Sequence, residues 1–124
     1  MTEAIEIDSA KAITLLREVV KGKEEYVYKR PVGSSGPACV YQANGEPSCV
    51  VGKALFKVGV TADELDAMDR TGVHTGINSV TLPERVSLTN DARAVFAAAQ
   101  EKQDRGTEWG IALRAAEECY LSLS

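Results

Sequence analysis

The chain has 124 residues, of which 44% are hydrophobic and 26% charged. That is near the commonest length for one domain, and the composition excludes wholesale disorder and a fibrous repeat. Its 14 Lys and Arg against 18 Asp and Glu give a net charge of -4, which disfavours nucleic acid unless the positive residues are gathered on one face.

The opening segment MTEAIEIDSAK lacks the basic and apolar regions of an export signal, and no stretch reaches the roughly 18 apolar residues of a membrane span. The expected location is therefore the cytoplasm, where the three cysteines stay reduced and no disulfide framework or membrane partner is expected. Asp8 or Ser9 is placed to cap a helix over Lys11 to Lys21, with Ile13, Leu16 and Val20 on one face and Gly22 as its terminator. EEYVYKR then alternates as a strand does, and ACVYQ, beyond the loop PVGSSGP, is apolar and β-prone. The two predict an antiparallel β-hairpin of Tyr26 to Arg30 with Ala38 to Gln42.

Asn44 and Gly45 turn the chain. Glu46 and Pro47 suit the first turn of a helix running to about Val58, because proline lacks the N–H that would be orphaned there. Thr61 and Glu64 have capping-box spacing, so a short helix follows with Leu65 and Met68 inward. Gly72 to Ser79 reads as a loop, and VTLPERVSL as a short extended segment that Pro83 keeps away from a sheet centre.

The last third predicts a helical hairpin. Thr89, Asn90 or Asp91 opens a helix through Lys102 with Ala92, Val95, Phe96 and Ala99 in a stripe, and Gly106 closes it. Thr107 caps a second helix in which Trp109, Ala112, Leu113, Ala116 and Tyr120 recur at three- and four-residue intervals. The fold class is thus α+β: a mostly helical single domain with a small antiparallel β-hairpin and a C-terminal antiparallel helical hairpin.

The stretch PACVYQANGEPSCVVGKAL carries the strongest hint of chemistry. Cys39, Cys49, Cys119 and His74, the one histidine, would form a zinc site only by arriving from four separate places, so no metal and no cofactor is expected. Cys49, in the first turn of a predicted helix, is the candidate nucleophile, with His74 or a carboxylate as its assistant. Against this stands packing of a small apolar side chain, which the lack of a second histidine favours. VGSSGP lacks the Lys-Ser/Thr ending of a phosphate loop, and the acidic face of Asp63, Asp66 and Asp69 lacks the spacing of a calcium loop. The basic run from Arg17 to Arg30 is interleaved with Glu18, Glu24 and Glu25, as in a solvated mixed-charge surface.

The segments CVYQANGEPSCVVGKALFKVGV and AAAQEKQDRGTEWGIALRAAEECY, with their Gly-x-Pro-Ser-Cys-x-Val-Gly core and late Trp-Gly, resemble a group of small proteins of actinobacteriophages and actinobacteria. The resemblance implies a setting and no reaction. With no catalytic constellation in view, the expected function is that of a non-enzymatic accessory protein acting by protein–protein interaction, on a bacterial host protein or a second copy of itself. Tyr26, Tyr28, Tyr41 and Trp109 are its candidate contact residues. The rival expectation is a small enzyme or ligand-binding domain centred on Cys49. A further one is nucleic-acid binding through the Arg17 to Arg30 face.

Overall fold

A computed structural model of the chain describes residues 3–29, 40–43, 45–71, 77 and 80–123. Strand β1 (Ile5–Ile7) leads straight into helix α1 (Ser9–Val20), capped by the Asp8 carboxylate, which accepts the Lys11 N–H at 2.8 Å. After the short strands β2 (Gln42–Ala43) and β3 (Glu46–Pro47) come α2 (Val50–Lys57) and α3 (Ala62–Thr71). Strand β4 (Val86–Leu88), α4 (Asn90–Asp104) and α5 (Trp109–Ser122) complete the order. The architecture is the mostly helical α+β domain that the sequence predicts. Among the described residues, no helix is long and apolar enough to cross a membrane.

The elements follow from local chemistry. Thr61 and Glu64 make the reciprocal capping box, each accepting the other's backbone N–H at 3.1 and 2.9 Å, which satisfies two donors that no turn of α3 could reach. Thr89 Oγ1 accepts the Ala92 N–H at 3.0 Å to start α4. Gly22, Gly59 and Gly106 take φ of +81°, +104° and +86° just past α1, α2 and α4, a left-handed conformation in which a side chain would be strained. α4 and α5 pack as the helical hairpin, and α1 lies against α2, α4 and α5. Leu16, Val20, Leu55, Phe96 and Trp109 are wholly buried between them.

Three expectations are corrected and one strand is added. Tyr26 to Arg30 and Ala38 to Gln42 do not pair as a hairpin among the described residues. Segment 26–29 makes one antiparallel bridge, Val27 with Glu108, because the first turn of α5 has N–H groups without intrahelical acceptors. Trp109 N and Gly110 N donate to the carbonyls of Tyr26 and Glu24, both at 2.8 Å. Ala38 and Cys39 lie outside the described residues. On the other flank, the Tyr41 and Gln42 N–H groups are taken by the Asp69 carboxylate at 2.8 and 3.1 Å and are spent for a ladder. The small antiparallel hairpin is β2 with β3, Gln42 opposite Pro47 and Ala43 opposite Glu46.

Second, Glu46 and Pro47 therefore belong to a strand and not to the first turn of α2, which starts three residues later. Proline is tolerated because a two-residue edge strand asks little of its missing N–H. Third, Thr107 does not cap α5: its hydroxyl donates to the Lys102 carbonyl at 2.6 Å, and Glu108 occupies the cap position without a side-chain bond. The added strand is in the N-terminal segment, where three residues are too few for alternation to register. β1 pairs in parallel with β4, Ile5 opposite Val86 and Ile7 opposite Leu88. The Gly72 to Ser79 loop lies outside the described residues apart from Ile77, which is buried.

Candidate functional site

Two regions compete for the role: the Cys49 junction, where the sequence concentrates reactive residue types, and the outer face of α5 with the segment beside it.

At the junction, Cys49 is the N-cap of α2. Its sulfur accepts the Gly52 N–H at 3.4 Å, the part normally played by a Ser or Thr oxygen. The next free donor of that helix end, Val50 N, is taken by Gln103 Oε1 of α4 at 2.8 Å. Tyr41 passes directly over the helix, its carbonyl accepting Ser48 N at 2.9 Å and its hydroxyl accepting Gln100 Nε2 at 3.1 Å. Gln100 Oε1 in turn accepts the Ile77 N–H at 2.7 Å. Gln100 and Gln103 are the two buried polar side chains of the described core, and both are spent on backbone donors that would otherwise be orphaned.

Asp69 completes the arrangement. Burial pushes its carboxyl above the usual aspartate range, opposed by the N–H groups of Tyr41 and Gln42, and the nearby Asp66 carboxylate adds to the rise. Asp66 itself accepts from Gln42 Nε2 and from Arg70 Nε, each at 2.9 Å. Two of the three carboxylates of that acidic helix face thus clamp the 41–42 segment, while Asp63 is exposed.

Chemically, this junction is a closed packing hub. Cys49 has no exposed surface, and a buried thiol engaged at a helix cap offers no path to an electrophile. Its proposed assistant His74 and its neighbour in sequence Cys39 lie outside the described residues. Cys119, on α5, is half-buried and remote in sequence. Among the described residues, no three His, Cys, Asp or Glu side chains converge as metal ligands. Two of the donors at the start of α2, the Val50 and Gly52 N–H groups, are thus occupied from within.

The four aromatic contact candidates separate. Tyr41 is 1% exposed and Trp109 0%, so both are core residues and provide no contact area in the folded chain, because each fills the space beneath a helix end. Tyr28 is half-buried, and its hydroxyl accepts the Val40 N–H at 3.3 Å. Tyr26 is 43% exposed, with its ring set edge-on to Trp109 at a centroid distance of 4.6 Å. A buried indole therefore backs an exposed phenol, holding it rigid.

Further exposed apolar residues stand beside Tyr26 and along α5. Val27 is 38% exposed, Ile111 44% and Leu121 69%. Glu24, Glu25, Glu108, Ile111, Arg114 and Glu117 border one open groove between the turn after α1 and the outer side of α5. A signal for two of them was present in the sequence: Ile111 and Leu121 stand outside the apolar stripe of α5 at positions where a surface helix carries polar residues. The basic run does not gather. Arg17 is bound to Glu117 at 3.0 Å, and Lys21, Lys23 and Lys29 alternate with exposed glutamates.

Comparison with protein-family models finds no match, and neither do the comparisons with curated proteins and with solved structures.

Proposed function

We propose that the chain is a non-enzymatic accessory protein of phage type that works in the host cytoplasm by binding another protein chain. Its contact face is the exposed side formed by Tyr26, Val27 and Ile111. One observation carries the reading: three large apolar side chains project from two segments tied by the Val27–Glu108 bridge, with an acidic groove at their edge. Solvent-facing apolar groups backed by a rigid core and rimmed by charge are the anatomy of a docking surface. Rigid aromatic anchors lose little entropy on binding.

The test is photo-crosslinking. A benzophenone side chain at Val27 or at Ile111 should give one discrete adduct in bacterial host extract, identified by mass spectrometry, while the same probe at Lys57 on α2 gives none. Ile111→Asp should then weaken the purified pair by at least about tenfold, as loss of a central anchor does. Labelling at Val27 and Ile111 no stronger than at Lys57 would remove the contact face and with it the proposal.

A further inference from the structure

The outward side of α5 has a symmetry that names a partner. Ile111, Arg114, Glu118 and Leu121 are all exposed, and at 3.6 residues per turn they fall within an arc of about 80°. That arc lies opposite Trp109, Ala112 and Ala116, which bury the other side of the helix in the core. Read towards the N-terminus from residue 116 the stripe runs Arg114, Ile111; read towards the C-terminus it runs Glu118, Leu121. Each apolar position is matched by an apolar one, and the cation is matched by an anion.

We infer that the outer face of α5 pairs with the same face of a second copy in an antiparallel arrangement about a twofold axis at the level of Ala116. This rests on the reading of the chain as an interaction protein. In that arrangement Ile111 of each copy meets Leu121 of the other. Arg114 of each meets Glu118 of the other, so the pair is self-complementary in shape and charge, as an isologous interface must be. Neither Arg114 nor Glu118 makes an ion pair with another described residue, so both charges are available across the axis. Antiparallel helices also set the positive N-terminal end of one macrodipole beside the negative C-terminal end of the other.

The affinity is modest for two physical reasons. The stripe from Ile111 to Leu121 is only about 15 Å long, below what a permanent dimer buries. Glu24, Glu25 and Glu108 also crowd the Ile111 end. The dimer is therefore transient, with a Kd of about 10 to 100 µM.

Sedimentation velocity on the full chain over a concentration series tests the pairing. The wild type should shift from monomer to dimer across the micromolar range. Arg114→Glu alone and Glu118→Arg alone each place like charges across the axis and should weaken dimerisation by at least about tenfold. A 1:1 mixture of those two variants should dimerise again, because every cross-axis pair is then of opposite sign. That restoration cannot arise from a change in either fold, and far-UV circular dichroism of each variant checks helicity separately. Leu121→Asp should also yield monomer.

A wild type that stays monomeric to about 500 µM, well above the stated range, would overturn the self-pairing. So would single variants that dimerise like the wild type, or a mixture that remains monomeric. None of these results touches the crosslinking at Val27, which lies outside the α5 stripe and decides by itself whether the chain binds a different protein.

Discussion

Gly52→Ala tests the packing hub at its tightest point. A Cβ built on Gly52 would sit 3.1 Å from the carbonyl carbon of Tyr41 and 3.2 Å from its Cα, and it would overlap the carbonyl oxygen outright. The obstacle is backbone, not the end of a flexible side chain, and it is pinned. Tyr41 N is held by Asp69, its carbonyl by Ser48 N and its hydroxyl by Gln100, while the helix cannot retreat without stretching the Val50–Gln103 bond. Overpacking of this kind costs about 1–3 kcal/mol, and breaking one of the pinning hydrogen bonds adds about 1 kcal/mol. The gain in helix propensity from Gly to Ala returns about 0.8–1.0 kcal/mol. The net is a loss of about 2 kcal/mol. For a domain of this size that lowers Tm by about 8 °C, read by circular dichroism at the helical minimum during a thermal scan. Gly110→Ala is the control: its Cβ would meet the Glu24 carbonyl oxygen at 3.0 Å, but that turn is exposed and can shift, so the propensity gain should nearly offset the contact. A Gly52→Ala protein as stable as the wild type, or more stable, would show that propensity alone governs the position and would refute the close approach of Tyr41 to α2.

Gln103→Met keeps the volume but leaves the Val50 N–H buried without an acceptor. Urea unfolding should show a loss of about 1–3 kcal/mol, far more than the same change at the exposed Glu101. The two perturbed carboxylates should respond to acid in opposite senses. Glu64 is held below the ordinary glutamate range chiefly by its hydrogen bond to Arg85, Oε1 to Nη2 at 2.6 Å. It contributes stability above that range and loses it as pH falls through the lowered pKa, so the Tm advantage of wild type over Glu64→Gln should shrink on acidification. Asp69 is raised by burial, so its contribution is fully present below the ordinary aspartate range and is lost as pH rises through the raised pKa. The Tm of wild type relative to Asp69→Asn should therefore grow on acidification, and parallel curves for the two pairs would contradict the assignment.

The parts of the fold that the sequence displayed are those decided within one turn of chain. The Thr61–Glu64 box, the Thr89 cap, the glycine terminators and the α4–α5 hairpin each depend on residues three or four positions apart, and each stands where the pattern puts it. The parts that misled depend on partners far away. The pairing of β1 with β4 joins residues about eighty positions apart over three residues a side, too short for alternation to register. Tyr26 to Lys29 has the composition of a strand but satisfies the donors of α5, and only the packing of α5 decides that. Pro47 fits a helix start and an edge strand equally well until the two-residue hairpin across Gly45 commits it to the second.

The candidate site follows the same division, with the sign reversed. Cys49 and Gly52 stand three residues apart because that is where Tyr41 crosses the start of α2 at backbone distance. The sulfur of Cys49 serves there as a compact cap in a space that admits no water. Residue types that suggest chemistry are thus consumed by architecture. The surface proposed for binding is marked by the opposite signal, ordinary apolar residues in the wrong phase: Ile111 and Leu121 break the stripe of α5, and Val27 points out of a segment whose backbone is already bound to that helix. Folding does not require these side chains to be apolar and exposed, since polar residues would serve α5 as well. Under the proposed function, what the core does not use is what a partner reads.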